Sequence, residues 1–550
     1  MNYLIIIFWF FSVFKNALFY LYLWQLKEYQ FYRFLDHFRT EKGKRLIFNK
    51  IIILKIFILF FFLLFIPFQK TIVIKGFLLF FLQSILLFIY FAEFFIFLFK
   101  IFQKKLKKPV LTKKAILLIS LSVFFIFLIC AYSIFLKNIL YFGVYLLIFD
   151  ILSPIIFSLI VLILEPFSIL LRKKIMRKAE EKISNFKELI TIGITGSFGK
   201  TSTKEFLSTI LSEKFNVLKT KEHQNSEMGI SNCILNELNL NHQVFIAEMG
   251  AYRKGGIKML ANIVKPKIGI ITGVNEQHLA TFGSIENLLS AEGGKELIES
   301  LPSDGLVIFN GDNKYLKDLY KETFILKRIY SVNKLDLEKS GIEPDFWAED
   351  IKVEKRFIHF TVKNKNNEIE HFTINILGAH NVSNILAAIT TAYDFGMSLK
   401  EISQACLKIK PEQGSIHLFE TKSGLNILDS SYSANPDGVI ADLNYLSIYP
   451  RKKIIIMPCL IELGKVSKEI HQKIGRKIGE VCDLSIITTK DRYEDIKKGA
   501  IESGMKEENI IFDENTDTIL KRIKNFVSVG DVVLIEGRVS KELVERLKSL

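Results

Sequence analysis

The sequence predicts a multi-span α-helical membrane region followed by α/β, the α/β part opening on a phosphate-loop (P-loop) domain and closing on a second α/β domain. Three observations predict it. Composition breaks sharply near residue 171: the chain before it is dominated by Phe, Leu and Ile, and the chain from Arg172 onward has the mixed charge, glycine turns and alternating apolar runs of an α/β protein. Several stretches of the first part reach the roughly 20 apolar residues a helix needs to cross a bilayer. Just past the break, residues 189–211 read strand, loop, helix, with Gly-Lys-Thr in the loop.

Five spans are expected, from Tyr3 to Trp24, Ile51 to Phe68, Thr71 to Phe99, Ala115 to Leu136, and Leu140 to Leu171. The first has no basic leader and no small-residue cleavage site, so it reads as a span rather than a signal peptide. The last contains Asp150 and Pro154, which allow a kink or a broken helix; Asp150 reads equally as a functional intramembrane carboxylate or as a charge turned into the bundle. One loop carries Lys27, Arg33, Arg39, Lys42, Lys44, Arg45 and Lys50, and another Lys104, Lys105, Lys107, Lys108, Lys113 and Lys114. The remaining loops hold only Lys70, Lys75 and Lys137. The positive-inside bias therefore makes the two basic loops cytoplasmic, the N-terminus external and the exit at Arg172 cytoplasmic, as in an integral protein of the cell (inner) membrane.

The formal charge of +16 does not argue for nucleic acid, because many of the basic residues flank apolar runs; membrane lipids are the expected neighbours. The five cysteines, Cys130, Cys233, Cys406, Cys459 and Cys482, form no disulfide framework and no zinc spacing, which suits a reducing compartment.

The run Leu189 to Thr195 is a β-branched strand, followed by Gly196-Ser197-Phe198-Gly199-Lys200-Thr201-Ser202-Thr203 and an amphipathic stretch to Leu211. Such a loop turns the backbone N–H groups of Gly196, Ser197, Gly199 and Ser202 toward the phosphates of a nucleotide at a helix N-terminus. Lys200 would neutralise β/γ oxygens and Thr201 offer its hydroxyl to Mg²⁺. The form is TGxxGKT rather than GxxxxGK[ST], with Gly193 one residue early. Gly193, Gly196 and Gly199 would also suit a dinucleotide loop, but Lys-Thr directly after the last glycine favours ATP.

Further motifs follow in order: Glu248-Met249-Gly250-Ala251; Asn275-Glu276-Gln277-His278-Leu279 with Phe282-Gly283-Ser284; Gly378-Ala379-His380-Asn381-Val382 with Asn384 and Ala387-Ala388; Asp429 to Pro436; and Glu462-Leu463-Gly464 with His471. In this series the chain resembles the Mur ligases, and within them the MurF type, from about Ile190 to Leu550. Glu248, at the end of an apolar strand, has independent reason to hold Mg²⁺ beside Thr201. The resemblance implies that His278 lies near the metal, that His380 and Asn381 contact the adenine side, and that Asp429, Tyr432 and Asn435 belong to a loop facing ATP and the substrates. It also implies the chemistry: ATP activates a carboxylate as an acyl phosphate, and an amine attacks it to form an amide. The expected partners are a small-molecule or lipid-linked cell-wall precursor and an amino-acid or dipeptide amine such as D-Ala-D-Ala. The expected architecture is a transmembrane region (1–171), a basic linker (172–187), a Mur ligase central ATP-binding domain (188–408) and a Rossmann-like C-terminal domain (409–550), with residues 324–376 a β-rich insertion.

The chain departs from the family in three places. Where members carry a carbamylated lysine in an AKxE-like pattern, it reads Ala291-Glu292-Gly293-Gly294-Lys295-Glu296, one position out of step. Either Gly293-Gly294 absorbs the shift and Lys295 bridges metals catalytically, or the second metal site differs. The arginine entering the last domain is absent from Gln413-Gly414-Ser415, and the terminal KGSR-like motif is Glu536-Gly537-Arg538. Membrane spans stand where a UDP-binding domain would precede the phosphate loop, and they either present a lipid-linked substrate or only tether the enzyme. Two alternatives are a membrane-associated ligase of another acceptor, poly-glutamate synthase-like, and a non-enzymatic, nucleotide-regulated membrane protein.

Overall fold

The computed structural model describes residues 1–27, 29–38, 41–47, 49–66, 75–136, 139–221, 224–413, 416–431 and 434–550. They form two compact units, Met1–Arg172 and Lys173–Leu550.

The first unit is helical. Its long helices are Asn2–Leu26, Lys50–Phe65, Lys75–Phe102, Lys113–Phe135 and Ile139–Ser184. Among the described residues, five stretches are long and apolar enough to cross a membrane. The Phe68 end of the second expected span and the Thr71 start of the third lie outside the described residues. The last helix runs unbroken through Pro154 and Pro166, and residues 173–184 of the expected linker are its final turns. Asp150 faces inward. Lys55 Nζ lies 2.7 Å from Glu93 Oε2 and 2.5 Å from Asp150 Oδ2, Ser12 Oγ donates to Glu93 at 2.6 Å, and Lys15 is 3.6 Å from the same carboxylate. An apolar bundle buries charge at this depth only when it is paired, and here the pairing is reciprocal.

The second unit contains two sheets. The larger has nine strands: β1 (Ile190–Thr195), β2 (Val217–Lys219), β3 (Val244–Glu248), β4 (Ile268–Ile271), β5 (Leu306–Asn310), β6 (Leu326–Ser331), β7 (Phe346–Val353), β8 (Ile358–Asn364) and β9 (Ile369–Ile374). Their order is β2-β3-β1-β4-β5-β6-β7-β8-β9. Pairing is parallel as far as β7 and antiparallel for β7-β8 and β8-β9. Residues 324–376 are β-rich as expected and continuous with the main sheet: β6 joins the parallel part and β7 to β9 extend its edge. The central strands read as continuous apolar runs because both faces are covered. Ile192, Ile194 and Ile246 pack with Phe206, Leu207 and Leu386, while Phe245, Ala247 and Ile271 pack with Leu260 and Leu297.

The second sheet contains β10 (His417–Glu420), β11 (Asn426–Ser430), β12 (Lys453–Met457), β13 (Leu484–Ile487), β14 (Ile510–Phe512) and β15 (Val532–Glu536), in the order β10-β11-β15-β12-β13-β14. All pairs are parallel except β10-β11. In the larger sheet the chain leaves β1 toward β2 and β3 on one side and crosses to β4 on the other. The crevice beyond the carboxyl end of β1 is thus the switch point where α/β sheets bind ligands.

Candidate active site

The phosphate loop occupies that crevice. β1 ends at Thr195, and the helix Lys200–Leu211 begins after a turn in which Gly196 (φ +142°) and Gly199 (φ +77°) adopt left-handed backbone. A Cβ on Gly196 would lie 2.2 Å from Thr272 Oγ1, and one on Gly199 would lie 2.3 Å from Asn384 Oδ1, so both positions require glycine for close approach as well as for φ. Ser197 N–H donates to Gly273 O at 2.7 Å, tying the loop to the end of β4. Lys200 Nζ folds back onto Gly196 O, across the mouth of the loop where phosphate oxygens would compete for it.

The register of β1 with β3 sets Glu248 level with Ile194, beside this loop. Thr201 Oγ1 lies 3.1 Å from both Glu248 oxygens. The same carboxylate accepts from Lys204 Nζ at 3.1 Å and Asn225 Nδ2 at 3.2 Å. Burial opposes the charge on Glu248, but Lys204 and Lys200 outweigh it and hold the carboxyl below its ordinary range. Thr201 and Glu248, both expected at the metal, lie side by side; Lys204 and Asn225 were not singled out from sequence. Lys204 follows Lys200 by one turn and reads as a surface lysine of an amphipathic helix, yet it is fully buried.

His278, expected near the metal, pairs with a carboxylate that the sequence reading did not assign to the site. Its Nδ1 lies 3.1 and 3.2 Å from the two oxygens of Glu292, not against Glu248. Glu292 is buried and accepts from Ser197 Oγ at 2.8 Å, inside the phosphate loop. Burial works against its charge; His278 first, then Lys200 and Ser197, bring its carboxyl below the ordinary range. Lys295, the expected metal-bridging residue, starts the short helix Lys295–Ile298 with its side chain exposed to solvent, whereas Glu292 is buried.

His380 and Asn381 start the helix Asn381–Asp394, which packs along the phosphate-loop helix. Asn381 is fully buried, donates to Leu377 O at 2.8 Å and accepts from Asn384 Nδ2 at 3.2 Å, so it builds the turn that presents His380. Burial pushes the His380 imidazole below its usual range, against an opposing pull from Asp442. Asn310, not singled out from sequence, anchors the neighbouring strand end by donating to Thr272 O at 2.7 Å.

The second domain reaches the same place. Asn435 caps the helix Pro436–Leu446, accepting from Gly438 N–H at 3.0 Å. Asn275 Nδ2 donates to Asn435 Oδ1 at 3.1 Å and to Asp437 Oδ2 at 3.0 Å, while Asn275 O lies 3.4 Å from Ser197 Oγ. A single residue thus links the phosphate loop to the second domain. Asp429, near the end of β11, pairs with Lys548 Nζ at 2.6 Å and accepts from Ser431 N–H at 3.0 Å. Tyr432 and the Gly414-Ser415 pair lie outside the described residues. His471 is structural, accepting from Leu460 N–H at 3.0 Å through Nε2 and contacting Ser467 O at 2.5 Å through Nδ1. Glu536, from the terminal motif, is buried near Asp442; burial first, and the like charge second, push its carboxyl well above the ordinary range. Arg538 is exposed.

A phosphate loop at a topological switch point, an acidic strand end beside its threonine and a second α/β domain docked against it define a two-domain nucleotide-dependent ligase. The comparisons make this specific. Residues 194–392 match the Mur ligase middle domain and residues 416–539 the Mur ligase glutamate ligase domain. Among curated relatives, the UDP-N-acetylmuramoyl-tripeptide--D-alanyl-D-alanine ligase of Bacillus subtilis is 29% identical over 361 residues, 65% of this chain and 75% of that one. The Synechocystis protein of the same name is 31% identical over 291 residues, 52% of this chain and 59% of its own. Among solved structures, MurF ligase from Thermotoga maritima in complex with ADP aligns with a TM-score of 0.58 and 25% identity, covering 68% of this chain and 83% of that one. MurF from Acinetobacter baumannii aligns with a TM-score of 0.60 at 23% identity, covering 68% and 80%, and supports the fold. The chain belongs to the Mur ligase family and is an ATP-dependent peptide ligase.

Proposed function

We propose that this is a MurF-type ligase of cell-wall precursor synthesis, joining the terminal carboxylate of a muramoyl tripeptide to the amine of D-Ala-D-Ala, and that its five apolar helices span the cell membrane with the ligase domains cytoplasmic. The observation that carries the ligase reading is the Asn275 link, which sets the N-terminus of the Pro436–Leu446 helix within one residue of the phosphate loop. Relatives named for D-Ala-D-Ala ligation match 65% and 52% of the chain.

The two-step chemistry follows from what the site can hold. Lys200 and the loop N–H groups orient the triphosphate, a substrate carboxylate oxygen attacks the γ-phosphorus and ADP departs, leaving an acyl phosphate. The amine nitrogen then displaces phosphate from the acyl carbon. Docking of the second domain holds the amine at the reacting carbon and keeps water from hydrolysing the acyl phosphate, so most of the acceleration comes from positioning and charge stabilisation. Thr201 Oγ1 and the Glu248 carboxylate are adjacent hard oxygen donors and fit Mg²⁺, which supplies charge neutralisation on the phosphoryl oxygens when bound.

The membrane reading rests on the five apolar helices and on the basic loops. Retention of the chain in membranes washed with alkaline carbonate supports it; release into the wash refutes it. The ligase reading is tested by phosphate release in detergent with ATP, Mg²⁺, D-Ala-D-Ala and either a UDP-linked or a lipid-linked muramoyl tripeptide, with Lys200→Ala as control. Release with the UDP form makes the helices a tether. Release with the lipid form alone gives them a role in presenting substrate, and release with neither refutes the assignment.

A further inference from the structure

The segment that departs from the family, Ala291 to Glu296, has a geometry that determines what faces the phosphates. The helix Ile285–Ser290 ends at Ala291, Gly293 N–H donates to Leu288 O at 3.0 Å and Gly294 N–H to Ala291 O at 2.9 Å. A Cβ on Gly293 would lie 2.2 Å from Leu289 O, and one on Gly294 (φ +92°) would lie 2.3 Å from Ile271 Cδ1. No side chain, lysine included, fits at either position without moving the turn. The turn directs Lys295 to solvent. It directs Glu296 to the adjoining helix Gly256–Val264, where its carboxylate accepts from Gly255 N–H at 2.7 Å and Lys258 N–H at 3.0 Å. Glu292 alone of this segment's charged side chains points at the phosphate loop, 1% exposed, with its oxygens on Ser197 Oγ and His278 Nδ1.

A nucleotide bound in the phosphate loop would bring its polyphosphate close to this buried carboxylate, whose charge is offset by His278 and, less strongly, by Lys200. Two anionic groups brought together in a water-poor cleft repel strongly unless a cation lies between them. We propose that Glu292, with His278, holds a second divalent cation against the nucleotide phosphates directly, so that this enzyme needs no modified lysine at the site. The inference rests on the ligase reading only in requiring a nucleotide there. Among the described residues no three His, Cys, Asp or Glu side chains converge on a metal site, so phosphate oxygens and water would have to complete the shell of this cation.

The test is to count Mn²⁺ bound to the full chain in detergent with a non-hydrolysable ATP analogue, by electron paramagnetic resonance. The wild type is expected to bind two ions and Glu292→Gln one, the second being weakened more than about 100-fold, beyond the roughly 10–100-fold that loss of an outer-shell partner costs. Glu292→Asp, which keeps the charge, should retain two, and Lys295→Ala should bind as the wild type does. Intact-mass measurement should find no carbon dioxide adduct on Lys295. Retention of both ions by Glu292→Gln, loss of the second in Lys295→Ala, a single ion in the wild type, or a carbamate on Lys295 would each overturn the proposal. Unchanged analogue binding by Glu292→Gln with its remaining ion shows that the variant is folded. If no amine acceptor supports turnover while two ions still bind, the ligase reading fails and this one stands.

Discussion

Replacing Glu248 by alanine should destabilise the protein for a reason separable from catalysis. Glu248 is the nearer of two carboxylates that neutralise Lys204, at 3.1 Å against 3.5 Å for Glu205, and Lys204 is fully buried. Removing one partner of a buried pair typically costs about 3–5 kcal/mol, because the remaining charge is stranded in a poor solvent. Glu205 stays and is itself partly exposed, so the lower end, about 3 kcal/mol, applies here. At roughly 2–4 °C per kcal/mol for a domain of this order, the melting temperature should fall by about 6–12 °C. Thermal unfolding of the full chain in detergent at a fixed scan rate reads this directly. Adding Lys204→Met removes the stranded ammonium and should restore more than half of the loss, yet the double variant should remain inactive because Thr201 still lacks its carboxylate. A double variant that melts no higher than Glu248→Ala refutes the reasoning.

Three further outcomes are expected. Lys200→Ala should lower kcat about 10²–10³-fold with stability little changed, as measured by phosphate release and melting. Asn275→Ala deletes both hydrogen bonds to the second domain, each worth about 1 kcal/mol, and small-angle scattering should show a larger radius of gyration without nucleotide. Glu536→Gln should stabilise the protein at alkaline pH: its folded carboxyl titrates above the usual range, so the wild type has the full contribution below the ordinary carboxylate pKa and loses it as pH rises toward the folded value. Melting curves at about pH 4 and pH 8 should converge for wild type and variant at the acid end and separate at the other, and no separation would count against a buried protonated Glu536.

The parts of this protein that were legible in sequence are those written in periodicity or in contiguous motif. The apolar helices, the phosphate loop and Glu248 at the end of β3 fall in that group, because strand register and loop chemistry follow from local residues. Lys204 was not legible, since its burial depends on Glu248 and Glu205 converging from elsewhere in the chain. Glu292 was hidden for a different reason: one residue of phase decides which side chain turns inward, and that phase is set by two glycines whose φ angles and neighbours appear only in three dimensions. The stretch 324–376 was legible as β-rich from its short alternating strands, whereas their place at the edge of the main sheet is revealed only by topology.

The buried Lys55–Glu93–Asp150 network has a consequence for the order in which the chain is made. Lys15 and Lys55 emerge from the ribosome well before the carboxylates that neutralise them, Glu93 and Asp150. Each unmatched cation at the centre of a membrane helix costs about 2.5–3.5 kcal/mol on the insertion scale. In a membrane the first two helices would therefore reach their full stability only after Glu93 and Asp150 have been made, which favours assembly of these helices as a set.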